Sequence, residues 1–218
     1  MAEQQQPSLR ARDGDGVTST VEPEFYDVAM TAPHEPAMLP LEESPWRVLY
    51  ERAAAWISPT HAVVDLACGT GRFAEQLRRR GHGPYTGLDF SPATLAAAEA
   101  YVPLFDVDTA WDCKFELADL REWKADPNRA TMTVYTCLET LEHLEDDVDL
   151  IKRIPPGHTV IFSVPNYGGE AHLRVFENAS DAITRYGNFL TFTDWALIGD
   201  GPRYHIHLYR ARRRGDSW

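Results

Sequence analysis

The sequence is poor in cysteine and has no long apolar run. Only Cys68, Cys113 and Cys137 occur in 218 residues, and no two of them form a Cys-x-x-Cys pair. This usage predicts free thiols in a reducing compartment. No stretch is long and apolar enough to span a bilayer, and the first residues show no signal-peptide pattern. We therefore expect a cytoplasmic protein without a membrane span.

Basic residues are also scarce, since 21 Lys and Arg oppose 33 Asp and Glu, which gives a net charge of −12. A field of this sign repels polyanions and argues against a large nucleic-acid footprint, although a local basic patch stays open. Small or cationic ligands fit better. With 44% apolar and 25% charged residues, the chain can form one domain with a full core, and its oligomeric state is left open.

The N-terminal part differs in composition from the rest. Residues 1–20 are rich in Gln, Gly, Asp and Ser, so we expect them to be disordered. Four prolines and an aromatic pair predict that Val21 to Ser44 form an extended arm without regular structure. Ser44-Pro45 predicts the start of a docking helix that ends at Ser58-Pro59. The segment 21–58 therefore precedes one main domain, 59–218.

From residue 59 onwards strands and helices alternate, which predicts an α/β fold. The expected strands are His61–Ala67, Tyr85–Asp89, Cys113–Ala118, Thr131–Cys137 and His158–Val164, followed by a C-terminal antiparallel hairpin of Leu190–Ile198 and Arg203–Ala211. The expected helices are Arg72–Arg80, Ser91–Val102 and Leu138–Ile154. These elements predict a seven-stranded, mostly parallel sheet with helices on both faces. The insertion 165–189, with helical potential around 171–186, is expected to cap the substrate.

Polar or glycine residues follow three successive strands of this predicted sheet. Gly69 and Gly71 form a turn after the first strand, where the main chain is open to close approach by a ligand. Asp89 ends the second strand, eighteen residues after Gly71, close to the interval at which an acidic residue meets a ribose diol. Asp119 follows the third strand and can accept from an adenine amine. Each aspartate alone also fits a turn or helix cap, but together they predict a nucleoside-shaped ligand.

The run Val63–Phe73 (VVDLACGTGRF), followed by Gly87–Ser91 (GLDFS), resembles class I S-adenosylmethionine-dependent methyltransferases, whose fold is Rossmann-like. The likeness covers about residues 46–210 and implies S-adenosylmethionine as cofactor. The implied contacts are Asp65, Ala67, Gly69 and Gly71 at the methionine part, Asp89 at the ribose, Phe90, Asp119 and Leu120 at the adenine, and Cys137 and Leu138 near the sulfonium. From the N-terminal arm, Tyr26 and Arg47 are expected to close over the cofactor, with Arg47 pairing with its carboxylate.

A second group of residues is Glu139, Glu142 and His143. On a helix they would share one face, and two carboxylates with an imidazole suit Mg²⁺, Mn²⁺ or Zn²⁺. The Glu-x-x-Glu-His run is similar to that of ubiquinone-pathway O-methyltransferases and of small-RNA 3′-terminal 2′-O-methyltransferases, which hold a divalent metal with it. The RNA enzymes have a further metal histidine, which His172 matches. Two alternatives stay open: an acidic first helical turn with a catalytic or structural His143, and a surface helical position for His172.

These observations predict a small-molecule methyltransferase that favours oxygen over nitrogen as acceptor. His143 or Glu142 is the expected general base, unless a metal lowers the pKa of the hydroxyl directly. Tyr167 and His172 are expected to contact the substrate. Two rivals remain: an RNA 3′-terminal 2′-O-methyltransferase, and a non-catalytic S-adenosylmethionine-binding protein that acts through a partner.

Overall fold

A computed structural model describes residues 21–29, 35–102, 111–127, 129–130, 132–169, 171–199 and 203–215. Its strands are β1 (Ala62–Leu66), β2 (Tyr85–Asp89), β3 (Cys113–Leu117), β4 (Thr133–Cys137), β5 (Thr159–Pro165), β6 (Leu190–Ile198) and β7 (Ile206–Arg213). Its helices are α1 (Pro23–Ala29), α2 (Arg47–Ala55), α3 (Arg72–Arg79), α4 (Pro92–Tyr101), α5 (Asp147–Arg153) and α6 (Ala179–Tyr186), with 3-10 turns at Pro36–Met38 and Leu141–His143. Residues 1–20, for which we predict disorder, lie outside the described residues.

The seven strands form one sheet in the order β3-β2-β1-β4-β5-β7-β6. The first five strands in this order run parallel, and β7 pairs antiparallel with both β5 and β6. The predicted fold class is thus confirmed, including the C-terminal hairpin. Because β1 is followed outward by β2 on one side and β4 on the other, the strand order reverses between β1 and β4. Ligands of open α/β sheets bind beside such a reversal, at the carboxyl ends of the strands.

The central strands are apolar on both sides because helices cover both faces of the sheet. One face carries Val64, Tyr135 and Phe162 under α5 and α6, and the other carries Val63, Val134 and Ile161 under α2, α3 and α4. Alternate positions of one strand therefore enter different cores, which explains the continuous apolar runs. No helix in the described ranges combines the length and apolarity needed to cross a membrane.

The predicted helix Leu138–Ile154 is wrong in its first half. Glu139 adopts a left-handed backbone conformation with φ of 52°, and its N–H donates to Ser163 Oγ at 2.8 Å. The chain then forms the 3-10 turn Leu141–His143, and α5 begins only at Asp147. The leucines recur at helical spacing, but here a turn buries Leu141 and Leu144 in the core. Tertiary contacts therefore override the helical pattern, and Glu139, Glu142 and His143 do not share a helix face.

The N-terminal arm also departs from the prediction. Instead of an irregular segment it contains α1 and the 3-10 turn Pro36–Met38. Proline is compatible with both, since it stands at the first position of each, where its missing N–H costs nothing. The docking helix α2 begins at Arg47, and Ser44 Oγ accepts from the N–H of Trp46 at 3.2 Å. The described part of residues 165–189 contains one helix, α6, which is shorter than predicted.

The buried carboxylate of Asp65 gives the fold a testable pH dependence. Asp65 accepts from Tyr85 OH at 2.7 Å and Thr136 Oγ1 at 2.6 Å, and burial raises its pKa to about 6. Because the folded state binds this proton more tightly than the unfolded state, the contribution to stability is full below about pH 4 and is lost as pH rises through 6, by about 3 kcal/mol.

The Asp65→Asn variant removes this titration. Urea unfolding at each pH measures the free energy of unfolding of both proteins. We expect the value of the variant minus that of the wild type to increase as pH rises from 4.5 to 7.5. Asp112→Asn, which changes an exposed carboxylate, is the control. A wild-type-to-variant difference that stays constant across this range would contradict the assignment.

Candidate active site

The turn after β1 is shaped by three residues with positive φ. Ala67 has φ of 62°, Gly69 of 55° and Gly71 of 81°. A Cβ at Gly71 would meet Val102 Cγ2 at 2.9 Å, so only glycine fits there, whereas a Cβ at Gly69 would have no neighbour within 4 Å. The main chain at Gly69 therefore borders open space, and α3 begins directly after Gly71. Such a turn can accept a ligand against its backbone.

Asp89 connects this turn to the end of β2. Its Oδ2 accepts from the N–H of Gly69 and its Oδ1 from the N–H of Ser91, both at 3.0 Å. The carboxylate is almost fully buried, and burial raises its pKa. Each oxygen keeps a lone pair, so the group can still accept from two hydroxyls of a ligand. The structure therefore brings Gly69 and Asp89 into direct contact, with Phe90 as the next residue in the chain.

The other predicted cofactor residues differ in their exposure. Asp119 is partly exposed and forms an ion pair with Arg121, which also binds Glu22 next to α1. Leu120 is 6% exposed, and it packs in the core. Cys137 is fully buried at the end of β4, whereas Leu138, the next residue, is partly buried.

Helix α1 of the N-terminal arm places Tyr26 at the edge of the sheet where the parallel strands have their carboxyl ends. The Tyr26 ring lies 5.5 Å from that of Phe90 and 6.4 Å from that of His143, centroid to centroid. Burial, with Glu142 and Asp89 nearby, raises the pKa of the phenol to about 12. Asp27, the next residue, accepts from Ser91 Oγ. Helix α1 therefore lies beside the end of β2 and the 3-10 turn Leu141–His143.

Arg72 attaches the arm to the glycine turn, a role that sequence reasoning missed. Its guanidinium donates to the carbonyl oxygens of Leu39 (2.8 Å), Met38 (2.7 Å) and Thr70 (2.7 Å), and it stacks on the Tyr101 ring. The sequence shows only that an Arg directly follows Gly71, and its burial is visible in the structure alone. Arg47, by contrast, is half exposed and pairs with Glu51 one turn along α2.

A second cluster lies where β4 and β5 end. One ligand atom each from Glu142, His143 and His172 lie within 4.8 Å of one another. Glu142 is fully buried, and neither of its oxygens has a hydrogen-bond partner among the described residues. Burial, with Glu139 nearby, raises its pKa well above the usual range. A buried carboxylate without donors is costly unless a proton or a cation accompanies it.

One ring nitrogen of each histidine lies against a backbone carbonyl, and the other ring nitrogen of His143, Nε2, lies 3.7 Å from Glu142 Oε1. The Nδ1 of His143 lies 3.0 Å from the carbonyl oxygen of Ala171, and the Nδ1 of His172 lies 3.1 Å from that of Tyr167. A carbonyl can only accept, so each Nδ1 carries the proton and each Nε2 keeps its lone pair. Burial lowers the pKa of His143 to about 4 and also lowers that of His172. Both rings are therefore neutral near pH 7.

The composition of the cluster differs from the ligand set expected from the sequence. Glu139 was expected to join Glu142 and His143, but its Oε1 accepts from Ser163 Oγ at 2.8 Å, and its carboxylate hydrogen-bonds to the phenol of Tyr167. His172 takes the third position instead, with its ring 4.6 Å from that of His143. The linear spacing could not show this, because His172 comes from the segment after β5.

A model of the family described as "Methyltransferase domain" matches residues 63–154. The ubiquinone biosynthesis O-methyltransferase of Alkalilimnicola ehrlichii is 32% identical over 115 residues, which are 51% of this chain and 44% of the relative. The chain spans about half the length of the curated relatives that it matches.

Two solved structures share the fold. The N-methyltransferase NodS from Bradyrhizobium japonicum, in complex with S-adenosyl-L-homocysteine, has a TM-score of 0.60 at 17% identity and covers 79% of this chain and 88% of its own. The [4+2]-cyclase SpnF has a TM-score of 0.67 at 13% identity and covers 92% and 99%. Structures with different activities therefore share this sheet. The glycine turn lies inside the segment that matches the methyltransferase-domain family, residues 63–154, and the strand order is that of a sheet which methyltransferase structures share.

Proposed function

We propose that the protein transfers the methyl group of S-adenosylmethionine to a hydroxyl group of a small molecule. The observation that carries this proposal is the cluster of Glu142, His143 and His172 beside the cofactor edge of the sheet. The curated relatives named as O-methyltransferases support an oxygen acceptor. The net charge of −12 favours a small or cationic ligand over a polyanion.

The cofactor would lie along the ends of β1, β2 and β4. The open backbone at Gly69 suits the methionine part, and the Asp89 carboxylate suits the ribose hydroxyls. The Tyr26 ring, between Phe90 and His143, would cover the cofactor and keep water from the reacting centre. Methyl transfer is an in-line displacement, so most of the catalytic effect is expected from this positioning, which can supply about 7–11 kcal/mol.

The cluster fits a divalent cation. Among the described residues, neither oxygen of Glu142 has a donor. Both imidazoles are neutral, and because Nδ1 carries the proton in each, Nε2 keeps a lone pair, which is the protonation state that metal ligation requires. A bound ion would lower the pKa of an acceptor hydroxyl. Mn²⁺, Mg²⁺ and Zn²⁺ all accept such a mixed set, although the two nitrogens favour Zn²⁺ or Mn²⁺ over Mg²⁺.

The chain's own residues can also take the hydroxyl proton. His143 offers Nε2 as acceptor while the carbonyl of Ala171 fixes its ring. Its lowered pKa makes it a weak base, so His143 alone suits an acceptor that is already acidic. Tyr167, next to His172 and bonded to Glu139, is placed to contact the acceptor.

A second candidate is RNA 3′-terminal 2′-O-methylation. His172 in the cluster favours it, because the RNA enzymes have a histidine from a later motif in their metal set. The acidic composition argues against it. If the protein does methylate RNA, its affinity for a short RNA should fall steeply between 50 and 200 mM salt. The fall should be roughly 10³- to 10⁵-fold for six to ten phosphate contacts.

The ribose assignment predicts that Asp89→Ala weakens binding of S-adenosyl-L-homocysteine at least about tenfold, since it removes two accepted hydrogen bonds from the ligand. Isothermal titration calorimetry measures this. Asp149→Ala, which changes an exposed carboxylate on α5, is the matched control and should leave the affinity unchanged. Near-normal affinity of Asp89→Ala would refute the assignment.

The metal assignment predicts that the wild type binds Mn²⁺ or Zn²⁺ and that Glu142→Gln and His172→Asn each weaken binding about tenfold or more. Glu139→Gln should have a much smaller effect, because the carboxylate of Glu139 is bonded to Ser163 and Tyr167. Calorimetry with the metal alone gives these affinities. Equal losses for Glu139→Gln and Glu142→Gln would instead support the ligand set expected from sequence.

The acceptor can be found by incubating the protein with methyl-labelled S-adenosylmethionine and a metabolite extract. We expect the label in a small hydroxylated compound, identified by mass spectrometry, and less label after chelation. Label in RNA would favour the second candidate. If neither fraction gains label while the cofactor still binds, the proposed reaction is wrong and a binding role through a partner is favoured.

A further inference from the structure

Arg174 lies behind the turn that carries Glu142 and His143, and we propose that it is a positioning residue that holds these two side chains in place. Its Nη1 donates to the carbonyl oxygens of Leu141, at 2.6 Å, and of Leu144. These two carbonyls flank Glu142 and His143 in the chain. The inference rests on the proposed function, since it concerns the same cluster.

The turn needs such a partner because it is very short. A 3-10 turn of three residues leaves most of its carbonyl groups without partners inside the turn. Leu141 and Leu144 are both buried, so water cannot easily replace the missing donors. Arg174 satisfies both carbonyls with one nitrogen. Without it, the carbonyl of Leu141 would keep only the long 3.4 Å bond from the N–H of Leu144, and the carbonyl of Leu144 would lose the donor that Arg174 provides.

The residues around Arg174 extend this contact to the whole turn. The N–H of Leu173 donates to the carbonyl oxygen of Glu142 at 2.8 Å, and the carbonyl of Ala171 accepts from His143 Nδ1. Every residue from 141 to 144 is therefore bonded to the segment 171–174. The same segment carries His172, so this set of bonds fixes the distance between the two halves of the cluster.

Asp147 orients Arg174. Its Oδ2 lies 3.2 Å from Arg174 Nη1, and its carboxylate also accepts from Arg185 Nε and Nη2, both at 2.6 Å, and from Tyr186 OH at 2.6 Å. Asp147 is fully buried at the start of α5. A buried carboxylate with this many donors has little freedom to move, so it is a rigid support for the guanidinium.

Arg185 provides a matched control. It binds the same carboxylate with two hydrogen bonds, yet in the described part of the chain it donates to no carbonyl of the turn. Arg174→Lys and Arg185→Lys therefore both weaken the support of Asp147 while keeping the charge. Only Arg174→Lys disturbs the turn, because an ammonium group cannot reproduce the planar geometry of a guanidinium.

The test compares the two variants by hydrogen exchange in metal-free protein and by Mn²⁺ calorimetry. Amide exchange in the peptide spanning 140–146 should be about tenfold faster in Arg174→Lys and change by less than about threefold in Arg185→Lys. Mn²⁺ affinity should fall about 10- to 100-fold in Arg174→Lys only. Binding of S-adenosyl-L-homocysteine should be unchanged in both, which shows that the variants are folded.

Unchanged exchange in Arg174→Lys, or equal acceleration in both variants, would overturn the proposal, since a general loss of stability would then explain the effect. If the wild type binds no Mn²⁺, the metal assignment fails, while the exchange comparison still decides the role of Arg174. Should Arg174→Lys lose binding of S-adenosyl-L-homocysteine, Arg174→Gln, which keeps one amide donor, carries the same comparison.

Discussion

This structure depends on one constraint, which comes from the carboxylates that are buried at the carboxyl ends of its parallel strands. Each buried oxygen needs a donor, and Asp65 and Asp89 have them, from two hydroxyls and from two backbone N–H groups. Glu142 has none among the described residues. Since the other buried acids at this edge are satisfied, the unsatisfied one marks where a missing cation or proton belongs.

The same constraint divides the edge into two functional halves. The half at β1 and β2 presents an open backbone at Gly69 and a carboxylate at Asp89, which suits a nucleoside cofactor. The half at β4 and β5 presents Glu142 and two neutral imidazoles. Tyr26 lies between them, in contact with Phe90 on one side and His143 on the other. A cofactor under this ring would therefore have its reactive end beside the cluster.

The sequence predicts those elements in which the buried residues recur at a regular spacing. The observed limits of Tyr85–Asp89 and Leu190–Ile198 agree with the prediction, because turn residues bound both strands. The helix expected from Leu138 fails because Glu139 has a positive φ and its N–H is bound by Ser163. That bond joins residues 24 positions apart, and no local periodicity can report it.

The candidate site shows the same division. The spacing of Gly69, Gly71 and Asp89 follows directly from strand, turn and helix geometry, so the cofactor half is visible in the sequence. The other half depends on the path of the segment after β5. His172 replaces Glu139 in the cluster, and Arg174 reaches the turn, only because that segment folds back over residues 141–144.

The most direct test of the account is a crystal structure grown with S-adenosyl-L-homocysteine and Mn²⁺, with diffraction data collected to locate manganese by anomalous scattering. We expect one anomalous peak bonded to Glu142, His143 and His172, with the cofactor over Gly69 and its ribose on Asp89. Full cofactor density with no manganese at the cluster, and with Glu142 hydrogen-bonded to protein or solvent instead, would contradict it.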